Sequence, residues 1–143
     1  MQSWIPTSIL NEDWKIAANE SGWTNNDLGY LWLTEVFEPS TREKAAGRKR
    51  LLICDGHESH VSPKFVSFCI QHDIELVLLV PHSSHLTQPL DVGVFGPLKQ
   101  AVSRELDRLL RSGIIRLEKA EWVEYYMKAR PEAFTRHNIA GGW

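Results

Sequence analysis

Two aspartates in this chain follow short apolar runs that suit buried strands. Asp55 comes directly after the run Leu51–Cys54, and Asp91 lies 36 positions further on, after a second such run. In open α/β sheets, ligands gather at the carboxyl ends of the strands. Carboxylates are suitable ligands for Mg²⁺ or Mn²⁺, and two such ions can activate a water or a 3′-hydroxyl against a phosphodiester. The pair therefore predicts part of a metal-dependent phosphoryl-transfer site.

Both aspartates also have ordinary structural interpretations. Asp55-Gly56 is a common turn dipeptide, and Asp91 has the residue type that favours a helix N-cap. A site for two metal ions usually needs at least three carboxylates, because the ions require bridging and flanking ligands. Spacing alone therefore leaves the catalytic and the structural interpretations open.

Four histidines flank the two aspartates as H-x-x-H pairs. His57 and His60 follow Asp55, whereas His82 and His85 precede Asp91. The spacing within each pair suits a metal ion, so a small zinc-stabilised domain is one interpretation. Histidines in such loops also orient neighbouring groups through hydrogen bonds, contact DNA, or have a plain structural role. The pattern does not choose among these roles.

The elements that must position these residues alternate between strands and helices. Continuous apolar strands between helices indicate an α/β fold with a small sheet covered on both faces. The expected elements are a helix that begins with a Thr24/Asp27 capping box and ends at Pro39, a strand Leu51–Cys54, a helix capped by Ser62, and a strand Leu76–Val80. After them we expect a long helix from about Asp91, a helix from Glu118 that stops at Pro131, and a short one from Thr135.

The apolar spacing within these helices predicts which side chains form the core. Trp32 and Trp122 lie at helical core spacing in their helices, and core packing is the usual role of such residues. The core stripe expected for the long helix comprises Phe95, Leu98, Val102, Leu106, Leu109 and Leu110.

Composition describes an ordinary globular chain. Its 143 residues suit one domain, and the net charge of −2 argues against tight, autonomous DNA binding, which usually needs a basic surface. Two basic stretches could still contact phosphates or simply face solvent. One comprises Arg42, Lys44 and Arg48–Arg50, and the other comprises Arg104, Arg108 and Arg111 on the long helix. The two cysteines lie in apolar runs, as expected for buried thiols in a reducing compartment. No apolar run approaches the roughly 20 residues of a membrane span.

Four segments carry a resemblance to a known family. They are LLICDGHESH (51–60), VPHSSHLTQPLDVGVFGPLK (80–99), GWTNNDLGYLWLTEVFEPSTR (22–42) and the closing HNIAGGW. Together they resemble the catalytic domain of DDE superfamily endonucleases of the pogo and jerky type, a group of transposases. The first segment matches the surroundings of the family's second catalytic acid, and the second matches those of the third. The resemblance covers nearly the whole chain.

The resemblance implies an RNase H-like fold and metal-dependent cleavage and strand transfer of DNA in the nucleus. Asp55 and Asp91 would be catalytic ligands of Mg²⁺ or Mn²⁺, and the four histidines would support them or contact DNA. The resemblance leaves open whether the chain forms oligomers with other transposase chains.

The family's first catalytic aspartate and its N-terminal helix-turn-helix DNA-binding region have no counterpart in this sequence. We therefore expect residues 1–143 to form an incomplete RNase H-like domain with a C-terminal helical extension. We expect it to bind metal weakly and to be inactive alone. The alternative is a domesticated, non-enzymatic module that binds DNA or a protein.

Overall fold

A computed structural model describes residues 15–17, 19–80, 87–113 and 116–143. These residues fall into two compact units, the first within residues 15–80 and the second within residues 87–143. The first unit contains α1 (Asn26–Trp32), a π-helical segment (Leu33–Phe37), α2 (Glu38–Ala45), β1 (Arg50–Cys54), α3 (Glu58–Val61), α4 (Pro63–Gln71) and β2 (Ile74–Leu78). The second contains a π-helical segment (Leu90–Val94), α5 (Phe95–Arg111), α6 (Lys119–Ala133) and α7 (Arg136–Gly141).

The described strands form a small parallel sheet. β1 and β2 pair in register from Arg50 with Ile74 to Cys54 with Leu78. The fold is thus helix-rich and consistent with the predicted α/β class. One face of the sheet is buried in a core made by Leu33, Leu52, Cys54, Phe65, Cys69 and Ile74. Side chains alternate across a strand, so the other face carries Leu51 and Val77, which are 57% and 45% exposed. The expectation that both faces are covered is wrong for these two positions.

The second strand begins two residues earlier than the apolar run predicted. Asp73 takes a left-handed conformation, with φ of 54°, directly after α4. Its carbonyl accepts a hydrogen bond from the Arg50 N–H at 3.0 Å, so pairing with β1 starts at once with Ile74. The tight turn, rather than the apolar run, therefore sets the strand boundary.

The first helix differs from its prediction at both ends. Asn25, not Thr24, is the N-cap, and its side-chain oxygen accepts the Leu28 N–H at 2.9 Å. Helical structure continues through Pro39 to Ala45, because a π-helical segment precedes the proline. Hydroxyl groups of Ser40 and Thr41 donate to carbonyls of that segment. Pro39 has no N–H to donate within the helix, and these hydroxyl bonds give carbonyl groups of the preceding turn a partner.

The predicted ends and core stripes of the later helices also need correction. Pro131 lies inside α6, in its last turn, where one missing N–H costs little because few helical bonds follow it. Leu110 is 60% exposed, and Trp32 and Trp122 are 41% and 47% exposed. Trp32 packs on Phe37, and Trp122 stacks on Tyr126, so these indoles contact aromatic neighbours without being buried. The predicted α7 is confirmed, with Thr135 as its N-cap.

A buried carboxylate joins α2 to the sheet. The Glu38 side chain is 3% exposed and accepts hydrogen bonds from the Arg42 guanidinium. Arg50, at the start of β1, donates to Glu38 and to the carbonyl of His72. The hydrogen bonds from Arg42, helped by Arg50, hold the pKa of Glu38 below its ordinary value. Lys49 pairs with Glu75 at 2.9 Å. Arg48 donates through Nε to the Ala45 carbonyl at 3.3 Å, so all three cations of the Arg48–Arg50 stretch have partners within the protein.

Candidate active site

Asp55 lies at the carboxyl end of β1, where the strand gives way to a turn. Its Oδ1 accepts the N–H of His57 at 3.2 Å, so the structural interpretation of Asp55-Gly56 as a turn is confirmed. The same oxygen lies 2.9 Å from Nδ1 of His60. The side chain remains 36% exposed. Asp55 is therefore oriented by two histidines and still open to a ligand.

The two histidines use the same ring atom, Nδ1, in opposite hydrogen-bonding roles. His57 caps α3, and its Nδ1 accepts the N–H of Ser59 at 3.2 Å, which leaves the hydrogen of the neutral ring on Nε2. His60 instead donates through Nδ1 to the Asp55 carboxylate, so its Nε2 is an acceptor in the neutral ring. One imidazole thus offers a donor and the other an acceptor.

A close helix contact fixes the segment that carries these histidines. The four-residue helix α3, which the sequence did not predict, packs on α1. A Cβ at Gly29 would lie 2.7 Å from the carbonyl oxygen of Ser59, which is fully buried. Only glycine permits this approach, so Gly29 positions the Asp55–His60 segment from the neighbouring helix.

A pocket of about 450 Å³ opens beside these groups. It is lined by Trp23, Thr24, Asp55, His57, Ser59 and His60. Trp23 and Thr24 come from the segment before α1, and sequence reasoning assigned them no functional role. A signal was present, because both lie in the GWTNNDLGYL stretch that resembles the family.

Asp91 belongs to the second unit. It is the second residue of the π-helical segment Leu90–Val94, it is exposed, and its N–H donates to Gln88 at 3.0 Å. Pro89 occupies the N-cap position, so the N-cap interpretation of Asp91 is wrong. The structure brings Asp55, His57 and His60 together within the first unit. The predicted site residues His82 and His85 lie outside the described residues.

Two glycines allow α7 to pack closely on the segment that carries Asp91. A Cβ at Gly93 would lie 2.3 Å from the carbonyl oxygen of Asn138. A Cβ at Gly142 would lie 2.3 Å from the carbonyl oxygen of Pro89. In both contacts backbone lies directly against backbone. The closing HNIAGGW motif therefore packs on the turn that contains Asp91 and fixes it.

The thiol next to Asp55 is not an activated nucleophile. Cys54 and Cys69 are free and buried. Burial, with a smaller contribution from the Asp55 charge, raises the pKa of Cys54 to about 11. Burial also raises the pKa of Cys69. Both groups are therefore neutral thiols near pH 7, which is typical of core cysteines.

Comparison with protein families identifies the chain. The sequence model of the DDE superfamily endonucleases matches residues 2–143. The chain belongs to the DDE superfamily endonucleases. It is also 43% identical, over all of its 143 residues, to a protein of Cochliobolus lunatus named MFS-type transporter clz9, and it spans 15% of that protein's length. No solved structure matches the chain. Within the described residues, no helix is long and apolar enough to cross a membrane.

DDE endonucleases use divalent metal ions. The donor set around Asp55 is one carboxylate with one of its oxygens bonded to His57 and His60. Among residues 15–17, 19–80, 87–113 and 116–143, no three histidine, cysteine, aspartate or glutamate side chains are grouped as a metal ion requires. The described residues therefore show no complete two-metal site. The zinc interpretation stays a prediction, because two of its four histidines lie outside the described residues.

Proposed function

We propose that this chain is part of the catalytic domain of a pogo- or jerky-type transposase with an RNase H-like fold. Asp55 and Asp91 would be two of its three catalytic acids, and the substrate would be DNA phosphodiesters. The chief support is the match to DDE superfamily endonucleases over residues 2–143, with Asp55 at the carboxyl end of a parallel strand. The 143 residues by themselves would be inactive, because their sequence offers no counterpart of the family's first catalytic aspartate.

The chain's own residues would prepare Asp55 for a ligand. His60 and the His57 N–H bind Oδ1, which fixes the plane of the carboxylate and leaves Oδ2 for a metal ion. His60 in turn keeps Nε2 free to accept a hydrogen bond from a water or from DNA. When bound, the divalent ions would supply the charge that stabilises the phosphodiester transition state.

Location and partners form part of the same proposal. DNA would be the substrate, and the nucleus would be the site of action. The net charge of −2 argues, on electrostatic grounds, against these residues alone supplying the DNA affinity of a transposase. Other transposase chains would then be the natural partners, since a further domain or chain must bring basic surface and the remaining acid.

A plasmid-nicking assay in Mg²⁺ or Mn²⁺ tests the proposal. We expect the 143-residue chain to nick no more than a buffer control. A polypeptide extended at its N-terminus with the corresponding segment of an intact family member should nick DNA, and Asp55→Asn or Asp91→Asn should reduce that rate at least 100-fold, on the order expected when a metal ligand is lost. Asp107→Asn, at an exposed acid of α5, is the control and should leave the rate unchanged.

Robust nicking by the 143-residue chain that Asp55→Asn abolishes would contradict the proposed inactivity. Full activity of the extended protein with both aspartates replaced would contradict the proposed catalytic roles.

A non-enzymatic binding module is the second candidate. One observation favours it: Asp55 already has a structural role, because its Oδ1 closes a turn and binds His60. In such a module, DNA or protein binding would be insensitive to chelators. Replacing Asp91, which is exposed, would leave that binding unchanged.

A further inference from the structure

The most exposed aromatic side chain at the candidate active site is Trp23. It is 80% exposed on the rim of the pocket that contains Asp55, His57 and His60. An indole exposed beside a pocket offers a large apolar face on which a flat ligand can stack. The position of Trp23 therefore points to a ligand with a flat apolar face.

The loop that presents Trp23 is held by specific hydrogen bonds. The Asn19 amide donates to the Trp23 carbonyl at 2.7 Å, and its side-chain oxygen accepts the Gly22 N–H at 2.8 Å. Gly22 has φ of 72°, a conformation that favours glycine. The Trp23 N–H donates to the Ser21 hydroxyl at 3.2 Å. Trp23 is thus presented by an ordered turn whose backbone is fixed by its own side chains.

The chemistry of the pocket selects a nucleobase rather than a phosphate. Among the described residues, no lysine or arginine lines it, and the Asp55 carboxylate would repel a phosphate group in the absence of a cation. The polar groups suit the edge of a base: His57 offers an Nε2 donor, His60 an Nε2 acceptor, and Thr24 a hydroxyl. A volume of about 450 Å³ lies within the range of small-molecule sites.

We propose that Trp23 stacks on one unpaired nucleobase of the DNA strand whose phosphate lies at Asp55. The proposal rests on the proposed function, which supplies DNA as the substrate. A base within a duplex is already covered by its neighbours, so the indole can stack only on a base that has left the helix or lies in a single-stranded end. Trp23 would therefore favour DNA with an unpaired nucleotide next to the reacting phosphate.

Weak binding of the 143-residue chain to two labelled DNAs, measured at low salt and high protein concentration, tests this inference. One DNA is a blunt duplex, and the other carries a short single-stranded end of the same sequence. We expect wild-type chain to prefer the DNA with the single-stranded end. Trp23→Ala should weaken binding to that DNA roughly 5- to 150-fold, as the stacking of one base implies, and leave blunt-duplex binding unchanged. Trp23→Phe should retain most of the preference.

Trp143→Ala is the matched control, because Trp143 is 78% exposed and belongs to the second unit. It should leave both affinities unchanged. Replacing the unpaired nucleotide by an abasic one should abolish the wild-type preference and have no effect on Trp23→Ala.

Equal binding of both DNAs by wild type and Trp23→Ala would overturn the stacking role. So would a failure of the chain to bind either DNA. Asp55-dependent nicking by the extended protein would separate these results from a failure of the proposed function, because it tests catalysis without reference to Trp23.

Discussion

Replacing Glu38 with glutamine should lower the free energy of unfolding by about 3 kcal/mol. The Glu38 side chain is 3% exposed, and the Arg50 side chain that donates to it is 11% exposed. Removing the negative charge leaves the Arg50 guanidinium buried beside a neutral amide. Breaking a buried ion pair on one side is costly because the remaining charge has lost both water and its partner. Urea denaturation followed by circular dichroism measures the change.

The matched control is Glu75→Gln, which breaks the exposed pair with Lys49. Those side chains are 59% and 68% exposed, so the loss should be at most about 1 kcal/mol. Equal, small losses in the two variants would contradict a structural role for the buried pair.

The same carboxylate should make stability depend on pH. The pKa of Glu38 is lower in the folded than in the unfolded chain, because Arg42 and Arg50 favour the charged form. The resulting stabilisation is complete above the ordinary carboxyl pKa and is lost as the pH falls through the folded pKa. Between neutral pH and that acidic range, the free energy of unfolding should therefore fall less for Glu38→Gln than for wild type.

Gly93→Ala and Gly142→Ala should each destabilise the second unit by about 3 kcal/mol, the upper range for overpacking. The added Cβ would lie 2.3 Å from a backbone carbonyl in both cases, and backbone cannot move aside as a flexible side chain can. We expect α7 to separate from the Leu90–Val94 segment. Amide hydrogen exchange in both segments should then become faster.

Gly96→Ala and Gly141→Ala provide matched controls, since nothing lies within 4 Å of a Cβ at either position. Gly96 is inside α5, so alanine there should stabilise the chain by up to about 1 kcal/mol. If the two pairs of variants showed equal exchange rates in Leu90–Val94, the proposed support of the Asp91 turn by α7 would be wrong.

Local signals predicted much of the fold. β1 was predicted to within one residue, and α4 begins after its predicted Ser62 cap, because an apolar run and a Ser-Pro pair act over a few residues. The extension of the first helix past Pro39 could not be predicted, since it depends on the π-helical segment before the proline. The exposure of Trp32 was missed for a related reason. Helical spacing identifies a face but not what covers it.

Local signals likewise predicted only part of the candidate active site. The position of Asp55 at a strand end is confirmed, because an apolar run followed by Asp-Gly is a local signal. The contributions of Gly29 and Trp23 depend on how α1 and the loop before it approach the Asp55 segment. Such contacts join residues about thirty positions apart, and no pattern within one segment encodes them.

Asp55 and Asp91 are proposed as metal ligands, and Mn²⁺ titration followed by NMR tests that proposal most directly. Mn²⁺ broadens signals of nuclei close to it, so substoichiometric ion should broaden the amides of Asp55 and Asp91 together. Asp55→Asn should reduce the broadening at both positions, whereas Asp107→Asn should change neither. Broadening at only one of the two aspartates, or at Asp91 undiminished by Asp55→Asn, would contradict the claim.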